Sequence, residues 1–244
     1  MVATLGHLID LLARENIYRD QLQVTVLDEA DQMADMGFLS VVNEILDQVR
    51  LDGQRLLCSA TLDRGIDSLV KQYLKSPKTH LLQSDRASVS TMEHYRFVIN
   101  PGDKDDITAM IAACYDKPIL FVKIQQGSDR LCDKLANIGV PVGALHGGKS
   151  QAVRTRTFAF FKDSANVDVA ARGIHVDGIS LVAHINVLQD HKNYLRRSGR
   201  TTHTGESGAV VTLTTSKQQK LASGLTSRAV VTPKSVSVTS LSTD

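Results

Sequence analysis

The chain has 244 residues, 42% of them hydrophobic and 22% charged, with a formal net charge of +2. The length and apolar content are sufficient for one large or two modest globular domains. No apolar stretch of the sequence is long enough to cross a bilayer, and the net charge is too small to predict a nucleic-acid partner. The aromatic content of 5% and the absence of Trp argue against an aromatic stacking platform for single strands. Three cysteines without C-x-x-C spacing favour a reducing, cytoplasmic setting, and the amino-terminal residues predict no signal peptide.

Apolar runs alternate with helical patterns in residues 1–83. The segment "QVTVLDEAD" is predicted to begin as a strand and to end in acids, "QRLLCSAT" is predicted to be another strand, and "THLLQ" is a possible third strand. Helices are predicted from the apolar stripe in "FLSVVNEILDQVR" and from "GIDSLVKQYL". Strands that alternate with helices indicate βαβ units and a parallel sheet.

A polar stretch over residues 84–94 is predicted to be a linker, and the same alternation then resumes over residues 95–215. The segment "SANVDV" leaves little room for a full buried strand between the helix before it and the loop after it. Residues 216–244 are rich in Ser, Thr and Lys, so we expect a tail with one short helix that then frays. The remaining strands of this second unit are predicted at "HYRFVIN", "PILFVK", "PVGALHG", "ISLVAHIN" and "GAVVTL".

Two acids, Asp28 and Glu29, directly follow the first predicted strand. Acids at the carboxyl end of a parallel strand face the crevice where ligands bind. One carboxylate there can hold Mg²⁺ through water, and a second can orient and deprotonate an attacking water. Acids also cap helices in this position, so the pattern alone leaves both interpretations open.

Four short motifs occur in a fixed order over both units: Asp28-Glu29-Ala30-Asp31, Ser59-Ala60-Thr61, Ala171-Arg172-Gly173-Ile174 and Arg197-Ser198-Gly199-Arg200-Thr201. Together they resemble the DEAD-box family of ATP-dependent RNA helicases, over roughly residues 1–215. The resemblance implies an α/β fold of two RecA-like parallel-sheet units that close over ATP and RNA. The first of these units is expected to be incomplete.

The resemblance also implies roles for the residues of a nucleotide site. Asp28 would serve Mg²⁺ through water, and Glu29 would serve the attacking water. Arg200 would reach the γ-phosphate as an arginine finger, a role that suits a planar and permanently charged guanidinium. Gly173 and Arg197 would also bind the nucleotide. On the sequence alone, a solvated basic loop explains Arg200 equally well.

A second group of residues is implied in coupling and RNA binding. Ser59 and Thr61 would couple hydrolysis to strand separation. The opening "VATLGHLIDLL" is similar to an RNA-contacting element of the family, which suggests RNA-binding roles for Thr4 and Gly6. Further along the chain, Gln151 and Arg154 would contact the RNA backbone.

The segment "GALHGGKS", residues 143–150, matches the phosphate-loop pattern G-x-x-x-x-G-K-[ST]. It also matches the family's "LHG…Q…R…F" element, which lies near the RNA backbone; the matching residues are Leu145, His146, Gly147, Gln151, Arg154 and Phe158. A phosphate loop and its acidic partner need adjacent strands in one sheet, whereas this segment and Asp28 fall on opposite sides of the linker. We therefore favour RNA phosphates as the partners of Lys149 and Arg154. For Lys149, a solvated helix start is an alternative.

Several positions depart from the family pattern, and the printed sequence begins after the point where the family places its phosphate loop. We therefore expect residues 1–244 to hydrolyse ATP poorly or not at all by themselves, unless a partner chain supplies the missing elements. The departures are Leu5 and His7 for Pro and Arg, His175 for Asp, Arg196 for His, and Thr202 and His203 for Gly and Arg.

Two alternative functions remain open at this point. One is a non-enzymatic RNA-binding or regulatory module that uses the basic residues of the second unit. The other is an NTPase that uses residues 143–150. The basic residues of the first alternative are Lys149, Arg154, Arg156, Arg196 and Arg197.

Overall fold

The computed structural model divides the chain into two compact units, Met1–Leu81 and Leu82–Asp244. This division lies close to the boundary predicted at residue 83, and most of the predicted linker falls outside the described residues. The structure describes residues 1–14, 17, 22–50, 52–59, 62, 64–80, 92–115, 117–163, 167–170, 179–201 and 208–238.

The first unit contains a parallel pair of strands with helices before, between and after them. Its elements are α1 (Leu5–Ala13), β1 (Val24–Leu27), α2 (Ala30–Asp35), α3 (Leu39–Asp47), β2 (Gln54–Leu57) and α4 (Arg64–Tyr73). In the register of the pair, Val24 lies opposite Gln54. The possible third strand at "THLLQ" is not formed at its two described positions, Thr79 and His80, and its other residues lie outside the described part of the chain.

The core of the first unit covers one face of this two-stranded sheet. Leu27 and Leu57 pack against a buried cluster from α2, α3 and α4 that includes Val42, Leu46, Ile66 and Leu69. On the other face, three apolar side chains are about half exposed: Val24 at 52%, Val26 at 56% and Leu56 at 45%. Parallel sheets normally carry helices on both faces, so this one-sided cover agrees with the prediction of an incomplete first unit.

Arg55 on β2 joins the carboxyl ends of the two helices that cover the sheet. Its Nη2 donates to the carbonyls of Leu46, Val49 and Arg50 at 3.3, 3.1 and 3.2 Å. Its Nη1 donates to the backbone carbonyl of Tyr73 at 3.2 Å, and its guanidinium carbon lies 5.5 Å from the centroid of the Tyr73 ring. The last carbonyls of a helix have no partner within the helix and attract cations, so this one side chain stabilises both ends.

The second unit is built on parallel strands that continue the same alternation. Its strands are β3 (Glu93–Val98), β4 (Pro118–Phe121), β5 (Val142–Leu145), β6 (Val167–Ala170), β7 (Leu181–His184), β8 (Ala209–Thr214) and β9 (Lys234–Ser237). Its helices are α5 (Lys104–Ala113), α6 (Gln125–Asn137), α7 (Gln151–Asp163), α8 (His191–Ser198) and α9 (Gln219–Arg228). The strand order is β5-β6-β4-β7-β8-β3-β9. The central strands β4 and β7 are buried along their whole length, which is typical of a parallel sheet covered on both faces.

Strand β6 corrects the expectation that "SANVDV" leaves little room for a strand. It lies between β5 and β4, with Val167 opposite Val142 and Asp168 opposite Ile119. Four residues are enough here because β4 and β5 are themselves only four residues long. The sequence alone did not predict this strand, because it does not show how short the neighbouring strands are. A strand needs only enough residues to pair with them.

Part of the predicted Ser-, Thr- and Lys-rich tail is folded onto the second unit. Helix α9 packs through Ala222 and Leu225 into a buried cluster, and β9 extends the sheet by pairing with β3. Arg96 of β3 donates to the hydroxyl oxygens of Ser223 and Thr226 at 2.9 and 2.8 Å, which fastens α9 to the sheet. The expected short helix is present, but the fraying expected after it is wrong for Lys234–Ser237, which forms a strand at the sheet edge.

Candidate nucleotide and RNA-binding residues

The acidic turn and the Ser59 motif lie side by side at one end of the first sheet. Cys58 donates its N–H to the carbonyl of Leu27 at 2.8 Å, and Ala30 donates its N–H to the carbonyl of Cys58 at 3.1 Å. These two bonds join the residues after β1 to the residues after β2. The parallel pairing thus brings the acidic turn and Ser59, which are far apart in sequence, to the same sheet end; Ala60 and Thr61 lie outside the described residues.

Asp28 and Glu29 are both exposed, and Glu29 has a left-handed backbone with φ 51° and ψ 44°. The carboxylate of Asp28 accepts the N–H of Glu29 at 2.8 Å, which supports this conformation. A left-handed non-glycine residue costs about 1 kcal/mol or more, and such strain occurs often at functional sites. Glu29 stands at the N-cap position of α2, but its side chain makes no capping hydrogen bond. Glu29 therefore stands where a helix-capping acid would stand, but its carboxylate does not act as the cap.

The first sheet end could receive Mg²⁺ through water. Among the described residues, no group of three or more His, Cys, Asp or Glu side chains is arranged to hold a metal directly. Mg²⁺ usually keeps several waters and uses only one or two carboxylates. Asp28 is suited to this mode because it is exposed and only one of its oxygens accepts a hydrogen bond from the described part of the chain.

The phosphate-loop match at 143–150 forms a strand, a turn and a helix start, from β5 to α7. Its amine, however, is already engaged: the Lys149 Nζ lies 2.8 Å from an Asp129 Oδ1 that is also 3.0 Å from the His146 Nε2. The His146 hydrogen bond, followed by the one from Lys149, lowers the pKa of Asp129, and the Asp129 carboxylate raises the pKa of Lys149. This loop follows a strand of the second sheet, whereas Asp28 and Glu29 follow a strand of the first.

The two predicted RNA-binding residues of the second unit share the first turn of α7. Gln151 and Arg154 are both exposed, and the Arg154 Nη1 donates to the Gln151 Oε1 at 3.2 Å. The Ser150 hydroxyl accepts the N–H of Val153 at 3.4 Å and caps the helix. This arrangement presents one cation and one amide to solvent at the amino end of the helix, where anions are favoured.

Thr4 and Gly6, the predicted RNA-binding residues of the first unit, stand at the start of α1. Thr4 holds the N-cap position with extended backbone, φ −76° and ψ 158°, and its side chain makes no capping hydrogen bond. A Cβ at Gly6 would meet no atom within 4 Å. The helix has no buried residue, so both positions are open to solvent.

The two arginines predicted to bind the nucleotide lie at the end of helix α8: Arg197 is in its last turn, and Arg200 follows the helix. Asp190 caps this helix by accepting the N–H groups of Lys192 and Asn193 at 3.2 and 3.0 Å. The Arg197 guanidinium lies 4.8 Å from the centroid of the Phe121 ring, and the N–H of Arg200 donates to the Arg197 carbonyl at 3.2 Å. The two arginines therefore sit on one turn anchored to β4, whereas Gly173 lies outside the described residues.

A buried column of rings beneath Arg197 was not predicted from the sequence. Phe121 stacks on His184 with 6.0 Å between their ring centroids, and the centroids of His184 and Tyr194 are 5.0 Å apart. The Tyr194 hydroxyl oxygen is 2.7 Å from the His94 Nδ1. Burial, then the charges of Arg197 and His94, lowers the pKa of His184 to about 3. The only sequence signal was a histidine inside the apolar run "LVAH".

The fold and these sites define a RecA-like α/β protein with helicase motifs in both units. Two family models match the chain: "DEAD/DEAH box helicase" over residues 1–69 and "Helicase conserved C-terminal domain" over residues 105–205. The chain belongs to the DEAD-box helicase family. It resembles DEAD-box ATP-dependent RNA helicase 30 of Arabidopsis thaliana, with 33% identity over 91% of this chain and 39% of that protein.

Further similarities extend over nearly the whole chain. DEAD-box ATP-dependent RNA helicase RhpA of Helicobacter pylori is 34% identical over 90% of this chain and 46% of that protein. The structure of S. cerevisiae Dbp5 bound to RNA and ADP BeF3 superimposes with a TM-score of 0.86 at 24% identity, over 97% of this chain and 65% of that one. The chain thus spans less than half the length of these curated relatives. In the part of the chain that is described, no helix has the length and apolar character needed to cross a membrane.

Proposed function

We propose that this chain forms part of an ATP-dependent RNA-remodelling motor. The observation that carries the proposal is the pairing of the acidic turn with the Ser59 motif, joined by the Ala30 N–H to the Cys58 carbonyl at 3.1 Å. Asp28 and Glu29 are exposed, and this hydrogen bond links the turn that carries them to the residues after β2. A shift of the acidic turn on nucleotide binding would therefore also move the backbone next to Ser59. Family membership supports ATP and RNA as the two ligands.

The proposed nucleotide chemistry uses residues of both units. Asp28 would hold a water of Mg²⁺, an ion that would neutralise charge on the phosphate oxygens when bound. Glu29 would accept a proton from the attacking water, and its side chain makes no capping hydrogen bond to the helix that follows it. Arg200 would stabilise negative charge that develops on the transferred phosphoryl group, with Arg197 and Gly173 as further nucleotide contacts.

The proposed RNA contacts involve both units as well. Gln151 and Arg154 would bind phosphate oxygens at the amino end of α7, and Thr4 and Gly6 would do so at the start of α1. Ser59 and Thr61 would couple ATP hydrolysis to strand separation. All the cysteines are free thiols, which supports the proposed reducing, cytoplasmic setting.

A polypeptide of residues 1–244 alone is proposed to turn over ATP poorly, because its phosphate-loop match at 143–150 follows a strand of the second sheet and the lysine of that loop pairs with Asp129. The test is ATP turnover with and without single-stranded RNA, together with equilibrium binding of ATP. Turnover at the rates of ordinary helicases, abolished by Glu29→Gln, would contradict this part of the proposal. If a second polypeptide supplies the cradle, turnover would appear only in the mixture and would still require Glu29.

A non-enzymatic RNA-binding module is the second candidate. It is favoured by the exposed pair Gln151 and Arg154, which needs no nucleotide to contact a phosphate. In this case Arg154→Ala lowers RNA affinity and reduces the slope of log affinity against log salt by about 0.7, whereas Asp28→Ala changes neither. If ATP alters RNA affinity and Asp28→Ala removes that effect, the motor proposal holds instead.

A further inference from the structure

Helix α7 carries aromatic rings of very different exposure. Phe161 is 1% exposed and packs into a buried cluster with Ile119 and Val182, whereas Phe158 is 37% exposed and Phe160 is 43% exposed. Phe158 belongs to none of the buried clusters that the described residues form. Phe158 lies at the edge of the core-facing stripe, three residues before Phe161, and more than a third of its surface is open to a ligand.

The position of Phe158 on the helix links it to the predicted RNA residues. It follows Arg154 by four residues and Gln151 by seven, and residues with these spacings lie along one stripe of a helix. Phe160 is two residues further on, which turns it by about 200° to the other flank. Only one of the two exposed rings therefore adjoins the Gln151–Arg154 pair.

The charges on this helix identify the chemistry of the occupant. Over residues 151–161 the only charged side chains are Arg154 and Arg156, so this surface is positive. A cation next to an exposed ring matches the two recurrent parts of a single strand, its phosphate and its base. An acidic protein surface would pair with the arginines but would leave the ring without a flat partner.

We propose that Phe158 stacks on an unpaired base of single-stranded RNA whose backbone contacts Gln151 and Arg154. This proposal rests on the proposed RNA contacts of the same helix and adds a base-stacking residue to them. Every base has a π-face, so the contact favours unpaired strands without reading sequence. Composition argued against an aromatic stacking platform, and among the described residues of α7 a single exposed ring adjoins the Gln151–Arg154 pair.

The test uses the full chain and a single-stranded RNA oligonucleotide that carries the fluorescent base 2-aminopurine. Anisotropy gives the affinity, and quenching of the base reports stacking. Phe158→Leu, which keeps apolar volume but removes the ring, is expected to weaken binding about 5- to 20-fold and to abolish part of the quenching. The salt slope is expected to stay unchanged, because no phosphate contact is lost.

Matched variants separate stacking from folding. Phe158→Tyr keeps a ring and is expected to restore affinity and quenching, and Phe160→Leu on the other flank is expected to change affinity less than twofold. Fully paired RNA, whose bases are covered, is expected to bind Phe158→Leu and the unchanged protein alike. Equal losses in Phe158→Leu and Phe160→Leu, or quenching in Phe158→Leu that equals that of the unchanged protein, would overturn the stacking proposal.

The behaviour of Arg154→Ala distinguishes this inference from the proposed function. If Arg154→Ala lowers affinity and salt slope while Phe158→Leu has no effect, the RNA contacts stand and only the stacking is refuted. If neither Arg154→Ala nor Phe158→Leu alters binding, RNA does not use this helix, and both proposals for α7 are wrong.

Discussion

The Lys149 amine and the Asp129 carboxylate are 2.8 Å apart, and this ion pair decides how the loop at 143–150 is best understood. The loop has the residues of a phosphate loop and even lies between a strand and a helix. Its lysine is nevertheless bound to a carboxylate that also accepts from His146. A phosphate would have to displace Asp129 and would face its negative charge.

We therefore expect Lys149→Ala to leave the affinity for ATP·Mg²⁺ unchanged. Equilibrium binding with a fluorescent ATP analogue measures this, with Asp28→Ala as the comparison that is expected to weaken binding of any nucleotide held by the first unit. A loss of binding in Lys149→Ala combined with a silent Asp28→Ala would favour the NTPase interpretation of residues 143–150.

The stability of the second unit is expected to fall on acidification because of His184. Its folded pKa is about 3, set by burial and by the nearby charges of Arg197 and His94, whereas a histidine in an unfolded chain titrates near 6.5. Unfolding therefore takes up a proton below pH 6.5, and the free energy of unfolding declines as the pH decreases from 6.5 toward 3. At pH 5 the loss is about 2 kcal/mol, measurable from hydrogen exchange of the β7 amides.

His184→Asn provides the control for this pH dependence. It removes the titrating group, so its free energy of unfolding is expected to change less between pH 7.5 and pH 5 than that of the unchanged protein. Equal pH dependence in both proteins would show that another group is responsible.

Arg55→Lys is expected to destabilise the first unit by about 1–3 kcal/mol. One ammonium cannot reproduce the planar set of hydrogen bonds that Arg55 makes to carbonyls at the ends of α3 and α4. Hydrogen exchange of the α3 and α4 amides in increasing urea measures the change. Arg50→Lys is the matched control, since Arg50 pairs with Asp52 on the surface at 2.9 Å and is expected to contribute less than about 1 kcal/mol.

Gly143→Ala is expected to push α7 away from β5. A Cβ at this position would lie 2.4 Å from the Thr157 Cγ2, well inside contact distance. Such overpacking typically costs about 1–3 kcal/mol, visible as a lower midpoint of thermal unfolding. The double variant Gly143→Ala with Thr157→Ser removes the opposing methyl group and is expected to recover most of the loss, whereas Gly102→Ala, with no atom within 4 Å, is expected to be mild. A double variant as unstable as Gly143→Ala alone would show that the cost does not arise from Thr157.

Local sequence pattern predicted most elements because their burial follows a simple period. The β-branched apolar run "VTVL" gives strand β1, and the apolar stripe in "FLSVVNEILDQVR" gives α3. The same pattern placed Asp28 and Glu29 just after a strand, where the structure has them. It failed at β6 and β9, whose short polar-containing segments become strands only through their neighbours.

By itself, the sequence determined the family, the alternation of strands and helices, and the order of the motifs, because these depend on residues that are close along the chain. Only the tertiary structure decided that Ala30 bonds to Cys58, that Asp129 engages Lys149 and that Arg197 rests on Phe121. Each of these contacts joins different secondary-structure elements. Strand order and side-chain packing bring such elements together, and neither leaves a periodic trace in a single sequence.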